Sequence, residues 1–194
     1  MEFAIDLEAE RPVLKETVKG VIWAIFFHRL LGPIAPSNGE CLGITCPTCK
    51  DLPELHSLIN KRVEELATQE FITDSSKVGK VTIVFKQKIN QRKKSGWFGG
   101  KDNNEQQVPW EVWCIRVKCL TSNMESSMER SKISFQQALL AVIDKADGNM
   151  EHIPPITSLD ASPFPYDIEI TKKATDESWG SYFKNIVNDK TKVY

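Results

Sequence analysis

From Val108 to Leu120 the sequence alternates with apolar residues on both sides. Trp110, Val112 and Cys114 fall on one side and Trp113, Ile115 and Val117 on the other. A strand that is apolar on both faces has to be at least partly covered on both, so this stretch reads as a central strand of a sheet. Pro109 has no amide hydrogen to give a ladder and is tolerated only near the start of such a strand, which fixes the register there. Three further segments alternate. Phe3, Ile5 and Leu7 do so with Glu2, Asp6 and Glu8, Val81, Ile83 and Phe85 with Thr82, Val84 and Lys86, and Tyr166, Ile168 and Ile170 close the set.

Between these strands the apolar spacing changes from two to three and four. Leu14, Val18, Val21, Ile22, Ile25 and Phe26 define a helix over Pro12 to Leu31, stopped by Gly32-Pro33 and buried on most sides because Trp23 and Phe27 widen its apolar surface. Leu52, Leu55, Leu58, Ile59, Val63 and Leu66 predict a second helix over about 52–68, with Asp51 as N-cap and Glu54 as its reciprocal partner. Ile133, Phe135, Leu139, Val142, Ile143 and Ala146 mark a third, following a polar stretch at Ser122–Ser131 and ended by Gly148-Asn149. Ile34–Lys50, rich in Pro, Gly, Ser and Asn, reads as a loop with room for one short strand. Pro154, Pro155, Pro163 and Pro165 make an irregular crossing, and Trp179, Phe183, Ile186 and Val187 predict a short closing helix. Strands and helices do not alternate as βαβ units. The expectation is therefore an α+β fold, three main helices on a mostly antiparallel sheet, in one domain over 1–194.

Several chemistries are disfavoured at once. The five cysteines, Cys41, Cys46, Cys49, Cys114 and Cys119, are an odd number with no secretory signal before them, so reduced thiols fit better than a disulfide framework. Cys46-Pro-Thr-Cys49 has metal-ligand spacing but no second half-site, and no metal or other cofactor is expected. His28, His56 and His152 have no nucleophile or carboxylate at motif spacing, and no phosphate-cradling glycine loop opens a helix, so no catalytic residues are assigned. The longest apolar run, Val21 to Phe27, is too short to span a bilayer. The opening Met-Glu-Phe-Ala-Ile-Asp lacks the character of a targeting segment, which leaves a cytoplasmic location as the expectation.

One loop stands apart. Over about 91–107 the chain is Asn, Gln, Lys, Ser, Gly and Asp except for Trp97-Phe98, a pair flanked by Gly96, Gly99 and Gly100. Such a pair either projects as an anchor for a protein partner or folds back into its own core, and composition leaves both open. Pro109, Trp110 and Trp113 follow as the strand that supports the loop. Lys86, Lys88, Arg92, Lys93 and Lys94 run without an acidic residue between them, a patch for anionic lipid or RNA or a solvated edge that discourages strand-to-strand association. The net charge of -1 argues against general nucleic-acid binding.

The run Lys93-Lys94-Ser95-Gly96-Trp97-Phe98 followed by Pro109-Trp110-Glu111-Val112-Trp113, together with Phe27-His28-Arg29 at the end of the first helix, resembles the autophagy-related protein 101 family of HORMA-domain proteins. The resemblance covers almost the whole chain. It implies a HORMA domain and a non-enzymatic adaptor in the kinase complex that initiates autophagy. This adaptor pairs with and stabilises the HORMA domain of autophagy-related protein 13 and acts at the phagophore assembly site. It also implies that Trp97 and Phe98 form a finger that recruits later autophagy factors, here without the proline that separates the two aromatics in animal members. By analogy with other HORMA dimers, the pairing surface is expected on the third helix, at Ile133, Gln136, Gln137, Leu140 and Asp144.

Overall fold

The computed structural model describes residues 1–71, 78–90, 105–121 and 125–171. In chain order the elements are β1 (Glu2–Glu10), α1 (Arg11–Arg29), β2 (Pro36–Cys41), β3 (Ile44–Cys49), α2 (Pro53–Glu70), β4 (Val78–Asn90), β5 (Glu105–Leu120), α3 (Glu125–Asp147) and β6 (Tyr166–Thr171). The main sheet has the order β1-β5-β4-β6, and β2-β3 form a separate hairpin. Only the β1-β5 pairing is parallel, so the sheet is mostly antiparallel. Three helices on such a sheet give the α+β, HORMA-like build expected above.

The two-sided strand is indeed central, with Val112, Trp113, Cys114, Ile115 and Val117 all buried. α1 lies against it, flanked by α3 over β1 and by α2 over β4 and β6. Eleven residues of α1 are buried, from Leu14 to Arg29, which fits a helix that is apolar nearly all round. Gly20 permits the approach of α3. A Cβ there would stand 2.6 Å from the Phe135 ring.

Four expectations are corrected. Ile34–Lys50 is a hairpin of two strands, turned by Leu42 and Gly43 at φ 54 and 70. Two consecutive positive-φ residues make the tight turn whose twist suits paired strands, and the Leu at the first position hid it. Asp51 does not cap α2. Leu52 holds that place with no side-chain bond, while the Asp51 carboxylate accepts the Ala35 N–H at 3.1 Å and closes the base of the hairpin. The third helix begins at Glu125, before the polar stretch ends. Its early polar residues have a use, because Ser131 and Ser134 hydroxyls accept the edge amides of Glu10 and Glu8 at 3.0 and 2.8 Å. β1 is thereby an edge strand partly closed by a helix rather than by another strand. Finally, Pro109 lies four residues inside β5, and Glu105–Gln107 are strand rather than loop. The ladder slips there, Phe85 facing Glu111 and Lys86 facing Pro109, so Trp110 is an extra residue at a bulge. The bulge removes the bond that Pro109 is unable to make. The predicted closing helix around Trp179 lies outside the described residues.

A buried ion pair joins the layers. Arg29, at the end of α1, is 2% exposed and Glu111, on β5, is 0% exposed. The Arg29 Nε–H donates to Glu111 Oε1 and Oε2 at 2.8 and 3.0 Å. Its terminal nitrogens donate to the carbonyls of His28, Ala146 and Asn149. Glu111 also accepts from Trp113 Nε1 and, at 2.7 Å, from His152 Nε2.

Arg29→Ala leaves an unpaired carboxylate in the core, and the expected loss is about 3–5 kcal/mol of unfolding free energy. Arg29→Met combined with Glu111→Leu removes both charges and is expected to cost less than the single change. Denaturant titration of the two variants makes the comparison, and equal losses would show that the charge pair is not what matters.

Candidate functional site

On α3 the inward stripe is Phe135, Ala138, Leu139, Val142 and Ala146, all buried against α1 and β1. The outward stripe carries the five expected pairing residues, Ile133, Gln136, Gln137, Leu140 and Asp144, and every one of them is exposed. Ile133 is 47% exposed and Leu140 53% exposed. Ile143, at 41%, extends the same apolar surface and was not among the expected residues, although its spacing of three from Leu140 marks it. An apolar stripe left in water on a helix whose other face is filled is the pattern of a docking surface.

The stripe borders a groove of about 390 Å³. Phe27 and His28 of α1 form one wall, Ile44 and Pro47 of β3 another, and Leu140 and Ile143 the third. The β3 wall exists because the hairpin exists. Reading 34–50 as a loop concealed it.

His28 sits at this groove with its Nδ1 3.6 Å from the Asp147 carboxylate. Burial pushes its pKa down, Asp147 opposes the shift and the neighbouring Arg29 reinforces it. The other two histidines are engaged elsewhere. His56 Nε2 donates to Cys49 O at 2.7 Å and its ring lies 4.3 Å from that of Trp23, while His152 bonds Glu111.

The loop residues Gly96, Trp97, Phe98, Gly99 and Gly100, with Arg92, Lys93 and Lys94 of the basic run, lie outside the described residues. Their support is described. Lys86–Asn90 and Glu105–Pro109 continue as a two-stranded ribbon beyond β1, which begins opposite Val112, and beyond β6, which begins opposite Phe85. Trp110 and Trp113 are buried at the root of the ribbon, Trp113 on Phe3 and Trp110 on Phe164 and His152. Lys86 pairs with Asp167 and Lys88 is exposed.

All five cysteines are free and buried. Burial raises the Cys41 thiol to about 11, with Cys46 and Glu16 adding to the effect. Among the described residues no group of three His, Cys, Asp or Glu side chains is placed to hold a metal ion. None of their helices is long and apolar enough to cross a membrane.

The fold and this groove define the class, a HORMA-like α+β protein with an apolar surface open on its helical layer. Residues 6–160 match the family model described as Autophagy-related protein 101, so the chain belongs to that family. A protein of Arabidopsis thaliana bearing the same description is 24% identical over 208 aligned positions, covering 94% of this chain and 92% of that one. The chain is thus autophagy-related.

Two outcomes test the site's geometry. Leu139→Ala, in the buried stripe, is expected to cost about 2–5 kcal/mol, whereas Leu140→Ala, one residue on, should change stability by no more than about 0.5 kcal/mol. Equal losses in thermal unfolding would place Leu140 in the core. At pH 8 the Cys41 thiol is almost wholly protonated and enclosed, so alkylation followed by peptide mass analysis should label it only after denaturant is added.

Proposed function

We propose that this chain is a non-enzymatic adaptor in autophagy initiation that pairs, through α3 and its groove, with the HORMA domain of autophagy-related protein 13 and stabilises it. It acts as a subunit of the initiating kinase complex, in the cytoplasm and at the phagophore assembly site. Trp97 and Phe98 recruit downstream autophagy factors. The observation that carries the pairing half is the exposed stripe Ile133, Leu140 and Ile143 beside a preformed apolar groove. Burying large apolar side chains of a partner in such a groove supplies association energy that polar helix faces do not. The recruiting half rests on sequence. An aromatic pair among glycines suits a protein anchor, and the two strands that flank this stretch in sequence are rooted on two buried tryptophans of β5.

The reading through the basic run, as a lipid- or RNA-binding module, has less support. Lys86, its first member, is engaged by Asp167. Lys88 is exposed, and the attraction of an exposed lysine is largely screened at physiological salt.

The two surfaces separate in a single experiment. Leu140→Asp with Ile143→Asp is expected to abolish co-purification with the autophagy-related protein 13 HORMA domain while the chain stays folded. Trp97→Ala with Phe98→Ala should leave both folding and pairing intact and block recruitment, each truncation costing about 2 kcal/mol of binding to the recruited factor. Retention of the heterodimer in the α3 variant would remove the pairing surface from this helix, and loss of it in the loop variant would make the aromatics part of the dimer.

A further inference from the structure

We propose that His28 makes association at the α3 groove depend on pH, the groove accepting a partner's apolar side chain only while this imidazole is neutral. The inference rests on the pairing role assigned to the groove above and adds its regulation. Among the described residues that line the groove, His28 is the one titratable side chain. Its side chain is 23% exposed, and the Phe27 ring stands edge-on at 6.1 Å. The walls opposite it are apolar or uncharged, with Ile44, Thr45 and Pro47 from β3 and Gln136, Leu140 and Ile143 from α3.

Among the described residues, two charged groups face His28. From α3 comes Asp147, 3.6 Å away, and along α1 comes Arg29, whose guanidinium turns inward to Glu111. Asp147 is 66% exposed, so water already screens much of its attraction for an imidazolium. Burial is the larger influence and holds the His28 pKa below 6.5 in the free chain. A partner side chain filling the groove removes the remaining water from the ring and disfavours the charged form further. The pKa in the complex is then lower than in the free chain, and the complex binds fewer protons. By linkage, association has its full strength above the free-chain pKa and weakens as pH falls through it. One unit of further lowering corresponds to about a tenfold loss of affinity at pH values below both.

The test is calorimetric titration of the full chain with the autophagy-related protein 13 HORMA domain at pH 7.5, 6.5 and 5.5, circular dichroism confirming the fold at each. The expected result is a Kd about two- to fivefold higher at pH 5.5 than at 7.5, short of the tenfold limit because pH 5.5 does not lie below both pKa values. His28→Gln, which stays neutral, should remove that part of the slope, read as the ratio of its Kd at pH 5.5 to its own Kd at pH 7.5, whatever its affinity at pH 7.5. Asp147→Asn takes away the group that favours protonation and should move the loss to lower pH. The same slope in wild type and His28→Gln overturns the proposal and leaves pairing at the groove standing. Failure to bind even at pH 7.5 overturns the pairing role, and this inference with it.

Discussion

The Arg29–Glu111 pair is the interaction on which the arrangement of layers depends. Each charge taken alone would be costly to bury, and each is satisfied only because four distant segments meet at one point. α1 supplies the guanidinium, β5 the carboxylate, the end of α3 the Ala146 carbonyl, and the following segment the Asn149 carbonyl and the His152 ring. A cation under the last carbonyls of α3 also suits the negative end of that helix. The pair adds little net stability against an apolar equivalent, but a displaced helix would leave a charge uncompensated. What it contributes is position: the C-terminal ends of α1 and α3, which pack side by side, are held together over the root of β5.

That contribution explains an unexpected feature of the residues that reveal the family. Apart from the loop Lys93–Phe98, they are Phe27-His28-Arg29 and Pro109-Trp110-Glu111-Val112-Trp113. In the folded chain these two motifs touch. Arg29 and Trp113 both bond Glu111, and the guanidinium stands 5.8 Å from the Trp113 ring centroid. Pro109 marks the bulge that places Trp110 against His152. The signature is therefore largely the constellation that joins the helical layer to the strand carrying the loop.

Periodicity made much of the fold legible. Four strands and three helices were readable because each packs one or both faces on a common core, and burial imposes the period on the sequence. It failed where another force sets the residue type. The β2-β3 hairpin is polar on its open side and turned through Leu42, so neither alternation nor a turn glycine pair announced it. The first turns of α3 are polar because Ser131 and Ser134 serve the edge of β1. Asp51 looks like a cap and closes a hairpin instead, since the same carboxylate geometry serves any free amide. The candidate site was legible only in part for the same reason. The resemblance supplied the face of α3, but the groove's second wall is β3, and contacts between α1, β3 and α3 join positions too far apart in sequence for any local pattern to record.

His28 and Arg29 show how closely the two roles are packed. Successive residues of a helix diverge by about 100°. One step therefore turns a side chain from the groove to the core, and the chain places a titratable ring on the outer side and a permanently charged guanidinium on the inner. The order matters. The inner position is joined to Glu111 and to the carbonyls of two other segments, so any change of charge there disturbs the whole fold. Among the described residues the outer position faces Asp147 and walls that are apolar or uncharged, so its charge bears on the groove and not on what the core requires. A histidine at 29 would make stability itself follow pH, whereas a histidine at 28 confines the effect to the surface of the groove.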